Sequence, residues 1–131
     1  VDRAMVLREA GGSRHRQEDD MSAYAIAHLQ DVRLGPEIAT YLQTIDATLA
    51  PFEGRFLVHG AMPEVMEGPW PGDLVIVAFP DIDKARAWYA SPGYREILPL
   101  RTENSRSVAM IVEGVPEGYR ATDVLAKLGV A

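Results

Sequence analysis

The chain has 131 residues, 47% of them hydrophobic, with a net charge of −6 and no cysteine. That length fits one domain with a core of its own, and 24% charged residues suits a globular surface. The lack of cysteine excludes disulfides, thiolate nucleophiles, thiolate zinc sites and iron–sulfur clusters, and 13 scattered basic residues make no cationic footprint for a nucleic-acid backbone.

Residues 1–20 differ in character from the rest of the chain. Gly11-Gly12-Ser13 leads into the polar run Arg14-His15-Arg16-Gln17-Glu18-Asp19-Asp20, which has no periodicity. One codon choice for Gln17 to Met21 contains a purine-rich AGGAG run just upstream of an ATG. The segment is therefore read as a translated leader, a cloning remnant or a flexible arm before a domain that starts at Met21, and His15 is not counted toward a site. The longest apolar run, Leu74 to Phe79, is too short to span a bilayer, and no apolar core of a secretory signal is present. The expectation is a cytoplasmic protein that engages neither membrane nor nucleic acid.

From Met21 the pattern is regular. Ala23 to Leu29 reads as a strand with Tyr24, Ile26 and His28 on one face and alanines on the other. Gly35-Pro36 opens a helix whose stripe is Ile38, Leu42, Ile45 and Leu49, and Pro51 ends it. Arg55 to Gly60 is a second strand, with Phe56 and Val58 opposed to Arg55, Leu57 and His59. Extended chain is expected to continue through Pro63 to Gly68 before a turn at Trp70-Pro71-Gly72. Asp73 to Phe79 is the third strand. Pro80 stops it, Asp81 or Asp83 caps the next helix, and a short helical segment through Tyr94, Ile97 and Leu98 comes after the break at Ser91-Pro92-Gly93. Ser107 to Glu113 is the fourth strand, and a short helix over Thr122 to Leu128 is expected in an extension spanning residues 116–131. The order over residues 21–115 is β-α-β-β-α-β: an α+β, ferredoxin-like domain with a four-stranded antiparallel sheet and helices on one face.

The third and fourth strands are apolar on both faces: Leu74, Ile76 and Ala78 oppose Val75, Val77 and Phe79, and Val108, Met110 and Val112 oppose Ala109 and Ile111. Two helices cover only one face of such a sheet. The second face needs a cover, and a second copy, sheet on sheet about a two-fold axis, is the simplest. A homodimer is the expected assembly, with the tail helix as the alternative cover.

No signature fixes a reaction. There is no P-loop or dinucleotide-binding glycine fingerprint, and no serine sits in a nucleophile elbow. His28 and His59 lie near strand ends and are the candidate acid–base groups; hydrogen-bonded structural histidines are the alternative. They lack a third ligand at diagnostic spacing, so no metal is expected, and neither is in a recognisable haem context. The stretch Trp88 to Arg101 gathers rings and hydroxyls around a helix break, with Trp88, Tyr89, Ser91 and Tyr94 as candidate pocket wall or as packing in the helix–sheet seam. Arg55 and Arg101 are candidate anion anchors, Arg101 through a bidentate carboxylate pair, and Glu67 is a further candidate ligand contact.

Linked motifs carry a resemblance. Gly54-Arg55-Phe56-Leu57-Val58-His59-Gly60, then Glu67-Gly68 and Trp70, then Phe79-Pro80, then Ala85-Arg86-Ala87-Trp88-Tyr89 with Ser91-Pro92 and Tyr94, and finally Leu100-Arg101, together resemble the domain-of-unknown-function family numbered 1330 over roughly Met21 to Gly114. The resemblance implies the dimeric α/β-barrel superfamily, akin to antibiotic-biosynthesis monooxygenases, polyketide-cyclase-like and chlorite-dismutase-like proteins. It implies a homodimer with a small-molecule pocket between sheet and helices in each subunit. Two departures stand out: His59 where that family often carries an arginine, and the tail after Glu113. Fold likeness does not transfer activity. The expected function is a pocket protein, either a cofactor-free enzyme, monooxygenase- or cyclase-like, on an aromatic or carboxylate-bearing metabolite, or a non-catalytic binding or structural dimer.

Overall fold

A computed structural model describes residues 21–130; the first twenty residues, with the expected leader or arm, lie outside the described residues. β1 (Ala23–Gln30) leads into α1 (Pro36–Leu49), β2 (Arg55–Val58), β3 (Asp73–Phe79), α2 (Ile82–Ala90), α3 (Pro92–Thr102) and β4 (Arg106–Glu113). The strands form one antiparallel sheet in the order β2-β3-β1-β4, the ferredoxin-like arrangement anticipated from the strand and helix pattern. A single 3-10 turn (Ala121–Asp123) and a four-residue helix, α4 (Val124–Lys127), make up the tail.

Local chemistry sets these boundaries. Pro36 occupies the first turn of α1, where its missing N–H costs nothing, and Glu37 lies at the positive end of the helix dipole. Asp81 caps α2 by accepting the Lys84 N–H at 2.8 Å. Ser91 ends α2 and starts α3: its hydroxyl donates to the Trp88 carbonyl at 2.7 Å and accepts the Tyr94 N–H at 3.3 Å, and Pro92 comes next. The segment after the break is thus a helix of 11 residues, longer than its few apolar positions suggest, and Pro99 sits inside its last turns. Gly54 lets β2 approach the core, because a Cβ there would lie 2.7 Å from the Phe79 ring and 2.8 Å from Leu49.

The core lies between the helices and one face of the sheet, around Tyr41, Leu49, Phe79, Trp88, Tyr94 and Ile97. The register places Tyr24, Ile26 and His28 on the opposite face, beside Leu74, Ile76 and Ala78 of β3 and Val108, Met110 and Val112 of β4. Val108, Met110 and Val112 are 61%, 54% and 43% exposed, so the tail does not cover them.

Two expectations need correction. β2 does not alternate cleanly: a register shift between Phe56 and Val58 turns Val58 outward with Arg55 and leaves Phe56 facing the helices. Such a bulge is at home on an edge strand. The chain from Pro63 to Gly68 is irregular rather than strand, consistent with its four exposed side chains from Glu64 to Glu67 and its lack of a sheet partner.

Candidate functional site

A cavity of about 720 Å³ opens between the sheet and the helices. Its floor explains its existence. The central strand β1 presents Ala25 and Ala27 to the helices, and across the ladder Ala27 pairs with Ala109. Small side chains in the middle of the sheet leave a hollow under helices held off by large aromatic residues. Val75, Val77, Phe56 and Ile111 complete the floor, and α1 contributes Ile38, Tyr41, Leu42 and Ile45 as one wall. The facing wall comes from Trp88, Tyr89, Tyr94 and Arg101.

The mouth lies at the end of the sheet where β1 finishes and β3 begins, marked by the exposed lining residues Asp31, Leu34, Leu42, His59 and Asp73. Its loop is tied down: Arg33 donates through its backbone to Asn104 O at 2.8 Å and through its guanidinium to the Glu103 carbonyl, and Arg106 pairs with Asp31 at 3.0 Å. Gly72, with φ +94°, crosses so near β1 that a Cβ would lie 2.0 Å from Leu29 O.

The wall is an aromatic stack with a polar seam. Trp88 lies 4.1 Å from Tyr94 and 5.5 Å from Phe79, centroid to centroid, and its indole N–H donates to Thr48 Oγ1 at 3.0 Å. Tyr94 and Tyr41 meet edge to face, with their hydroxyl oxygens 2.6 Å apart. Arg101, only 6% exposed, donates to Ser107 Oγ at 2.7 Å and to the Tyr94 hydroxyl at 3.5 Å. Burial, and then the adjacent Tyr94, hold the Tyr41 hydroxyl well above the ordinary tyrosine range, so it stays neutral at physiological pH. Burial pulls the Arg101 guanidinium down, but Tyr94 and Tyr41 more than offset this and leave it above its ordinary value. The site therefore presents a positive charge beside the neutral Tyr41 hydroxyl, with the Tyr94 hydroxyl between them.

The residues expected from the sequence divide. Trp88, Tyr89, Tyr94 and Arg101 converge on the cavity, and His59 reaches its mouth, its ring stacked on Phe56 at 4.7 Å. The bulge at Leu57 is what brings His59 to the Phe56 side. His28 does not join it: it faces the open side of the sheet, stacks on Trp70 at 4.2 Å and donates through Nε2 to the Pro71 carbonyl. There it pins the β2–β3 connection. Arg55 shares that outer face, Glu67 is exposed in the connection, and Ser91 is occupied as a helix cap. Hydrophobic patterning misses Tyr41. It lies three residues after Ile38 and four before Ile45, on the helical stripe itself, and the inner position assigned to Leu42 is its own; Leu42 sits at the rim. Among the described residues, no three His, Cys, Asp or Glu side chains gather where they could hold a metal ion.

The fold and cavity define the class: a ferredoxin-like α+β domain with an open pocket between sheet and helices, into which the buried Arg101 is built. The chain belongs to the family described as Domain of unknown function (DUF1330), which matches residues 22–115. No curated protein matches the sequence. Among solved structures it is similar to the methylated RPA0582 protein of Rhodopseudomonas palustris, of unknown function, at 14% identity and a TM-score of 0.57, covering 83% of this chain and 96% of that one. It is also similar to a dimeric ferredoxin-like protein of unknown function from Thermobifida fusca, at 18% identity and a TM-score of 0.51, covering 72% and 92%. A looser likeness is to SnoaB, a cofactor-independent oxygenase from Streptomyces nogalater, at 17% identity and a TM-score of 0.48, covering 78% and 99%. Identities this low speak to the fold alone.

Proposed function

We infer that the protein is a cytoplasmic homodimer that binds one small aromatic or carboxylate-bearing metabolite in the cavity of each subunit. The cavity carries this reading. Its volume of about 720 Å³ lies within the usual range for ligand sites, and it joins largely apolar walls to a few converging polar groups. Arg101 is the anion anchor, Trp88, Tyr89 and Tyr94 the wall against which a flat ligand stacks, and His59 the proton acceptor at the mouth. The dimer is supported by the uncovered apolar face of the sheet, and the Thermobifida fusca protein is itself described as dimeric. Among the described residues no helix is long and apolar enough to cross a membrane.

Two forms of this reading differ in chemistry. A cofactor-free enzyme would use His59 to deprotonate an activated ligand for reaction with oxygen or for ring closure. Non-catalytic binding is favoured by a specific observation: the buried polar side chains of the cavity named above, Tyr41, Tyr94 and Arg101, include no carboxylate or imidazole base, and the candidate base is an exposed side chain at the rim. The test is a thermal-shift screen of aromatic and aliphatic carboxylates on the wild type and on Ala27→Leu, which fills the floor. Ligands that raise the wild-type midpoint and leave Ala27→Leu unmoved would support the cavity as the site. Equal shifts in both would overturn it. Oxygen uptake or product formation from a bound ligand, with no added cofactor, separates enzyme from binder.

A further inference from the structure

The polar groups of the cavity are unbalanced. Arg101 is almost fully buried, and both of its hydrogen-bond acceptors, Ser107 Oγ and the Tyr94 hydroxyl, are neutral. Among the described residues no carboxylate forms an ion pair with it; the acidic partners Glu53, Asp83 and Asp31 serve other cations. A guanidinium only donates, so the Tyr94 oxygen must accept from Arg101. One hydroxyl proton then bridges Tyr94 and Tyr41, and the second hydroxyl proton has no acceptor among the described residues. The guanidinium also lies within reach of the Tyr41 hydroxyl, and no carboxylate among the described residues takes its remaining N–H groups. The guanidinium can only donate, each tyrosine hydroxyl can donate one proton as well as accept, the cluster bears one positive charge, and it lines an open cavity. Unmatched buried donors and unpaired buried charge are both costly. Water can satisfy the donors, but only an anionic oxygen also answers the charge.

We propose that Tyr41, Tyr94 and Arg101 form an oxyanion subsite that takes the cavity's ligand as a monoanion: a single phenolate, enolate or carboxylate group on an apolar body. This rests on the reading of the cavity as a ligand site and adds to it which atoms grip the ligand and in which protonation state. Arg101 and the free tyrosine hydroxyl contact the anionic oxygen. The other tyrosine is a positioning residue that fixes where that hydroxyl points. The apolar body lies over Ala25 and Ala27 and runs toward Leu34 and Leu42 at the mouth. A weakly acidic phenol or enol entering this subsite releases its proton to solvent, so its affinity rises with pH until the free ligand is itself ionised.

The test uses three probes on the full chain. The first is N-phenyl-1-naphthylamine, uncharged at neutral pH, whose fluorescence reports occupancy of the cavity. The second is 4-nitrophenol, whose absorbance separates bound phenol from bound phenolate across a pH series. The third is 4-phenylbutyrate against its uncharged amide, by calorimetry. An anion preferred at least about tenfold over its neutral counterpart supports the subsite, which for nitrophenol is a pKa lowered by about one unit on binding. Preference confined to nitrophenolate assigns phenols or enols as the ligand source; preference confined to phenylbutyrate assigns carboxylates. Tyr94→Phe is expected to weaken the preference severalfold and Arg101→Met to abolish it, both with naphthylamine binding retained. The Tyr94→Phe arm stands if Arg101→Met does not fold. Naphthylamine binding with no anion preference would overturn the oxyanion subsite and leave the pocket reading intact. No binding of any probe would overturn both.

Discussion

Val108→Asp on the outer face of β4 probes the assembly. Val108 lies opposite His28 on β1, in the row that continues through Met110 opposite Ile26 and Val112 opposite Tyr24. In the single chain its side chain is 61% exposed, so the substitution opens no cavity and costs the lone subunit only the weak strand preference of aspartate, about 1 kcal/mol or less. In a sheet-on-sheet dimer the same side chain is covered. Covering the exposed part of a valine is worth about 1 kcal/mol, since full burial is worth about 1.5–3 kcal/mol. A buried, unpaired carboxylate costs further, up to the roughly 4 kcal/mol needed to protonate it at neutral pH. Taking about 3 kcal/mol per subunit, and counting it twice because a two-fold axis repeats the site, gives about 6 kcal/mol. That weakens the dimer by about four orders of magnitude. Sedimentation velocity over a dilution series reads this directly, with circular dichroism as the control that the subunit stays folded. A dimeric wild type and a folded, monomeric Val108→Asp are the expected results. A wild type that sediments as a monomer at every concentration, or a variant as dimeric as the wild type, would refute the argument.

Further outcomes are expected from the interior. Ala27→Leu places added methylenes in existing space, so it should raise the urea midpoint, by at most about 2 kcal/mol in stability, while ligand binding is lost. Trp88→Ala removes a buried ring and the indole donor to Thr48, and should cost about 3–5 kcal/mol by chemical denaturation. Gly72→Ala forces a side chain into a left-handed conformation and against Leu29 O; it should lower the thermal midpoint and weaken ligand affinity, because the mouth is built on that turn. Tyr41 sets an alkaline limit. Its folded pKa is raised above the unfolded value of about 10, so the stability it contributes is complete below that pH and is lost as pH rises, when only the unfolded chain ionises easily. Urea midpoints from neutral pH upward should therefore fall less steeply for Tyr41→Phe than for the wild type.

How much of this was legible from residue order depends on the range of the interaction. The four strands and their two-sided apolar pattern come from period-two alternation, and the helix starts come from Pro36, Asp81 and Ser91-Pro92, each a local effect. The bulge at Leu57 left no such trace: Arg55 to His59 alternates as a regular strand would, and only pairing with β3 shows Val58 turned out and His59 turned in. This is why the two histidines, alike in sequence setting, part in the structure, with His28 holding a loop and His59 at the cavity mouth. The alanines of β1 were visible as small residues, but a hollow forms only because Trp88 and Tyr94, more than sixty residues away in the chain, hold the helices off them. Arg101 was legible as a cation near aromatic residues. What gives it meaning is that no carboxylate among the described residues pairs with it, a property of everything packed around it. Tyr41 marks the boundary between the two cases. The stripe Ile38–Ile45 already contains it, and reading that stripe as hydrophobic rather than as inward-facing hides the one polar group on α1 that touches the charge. An aromatic hydroxyl at an inward helical position is a local feature that the sequence shows; that it meets the buried Arg101 is decided only by the packing of α1 against α3.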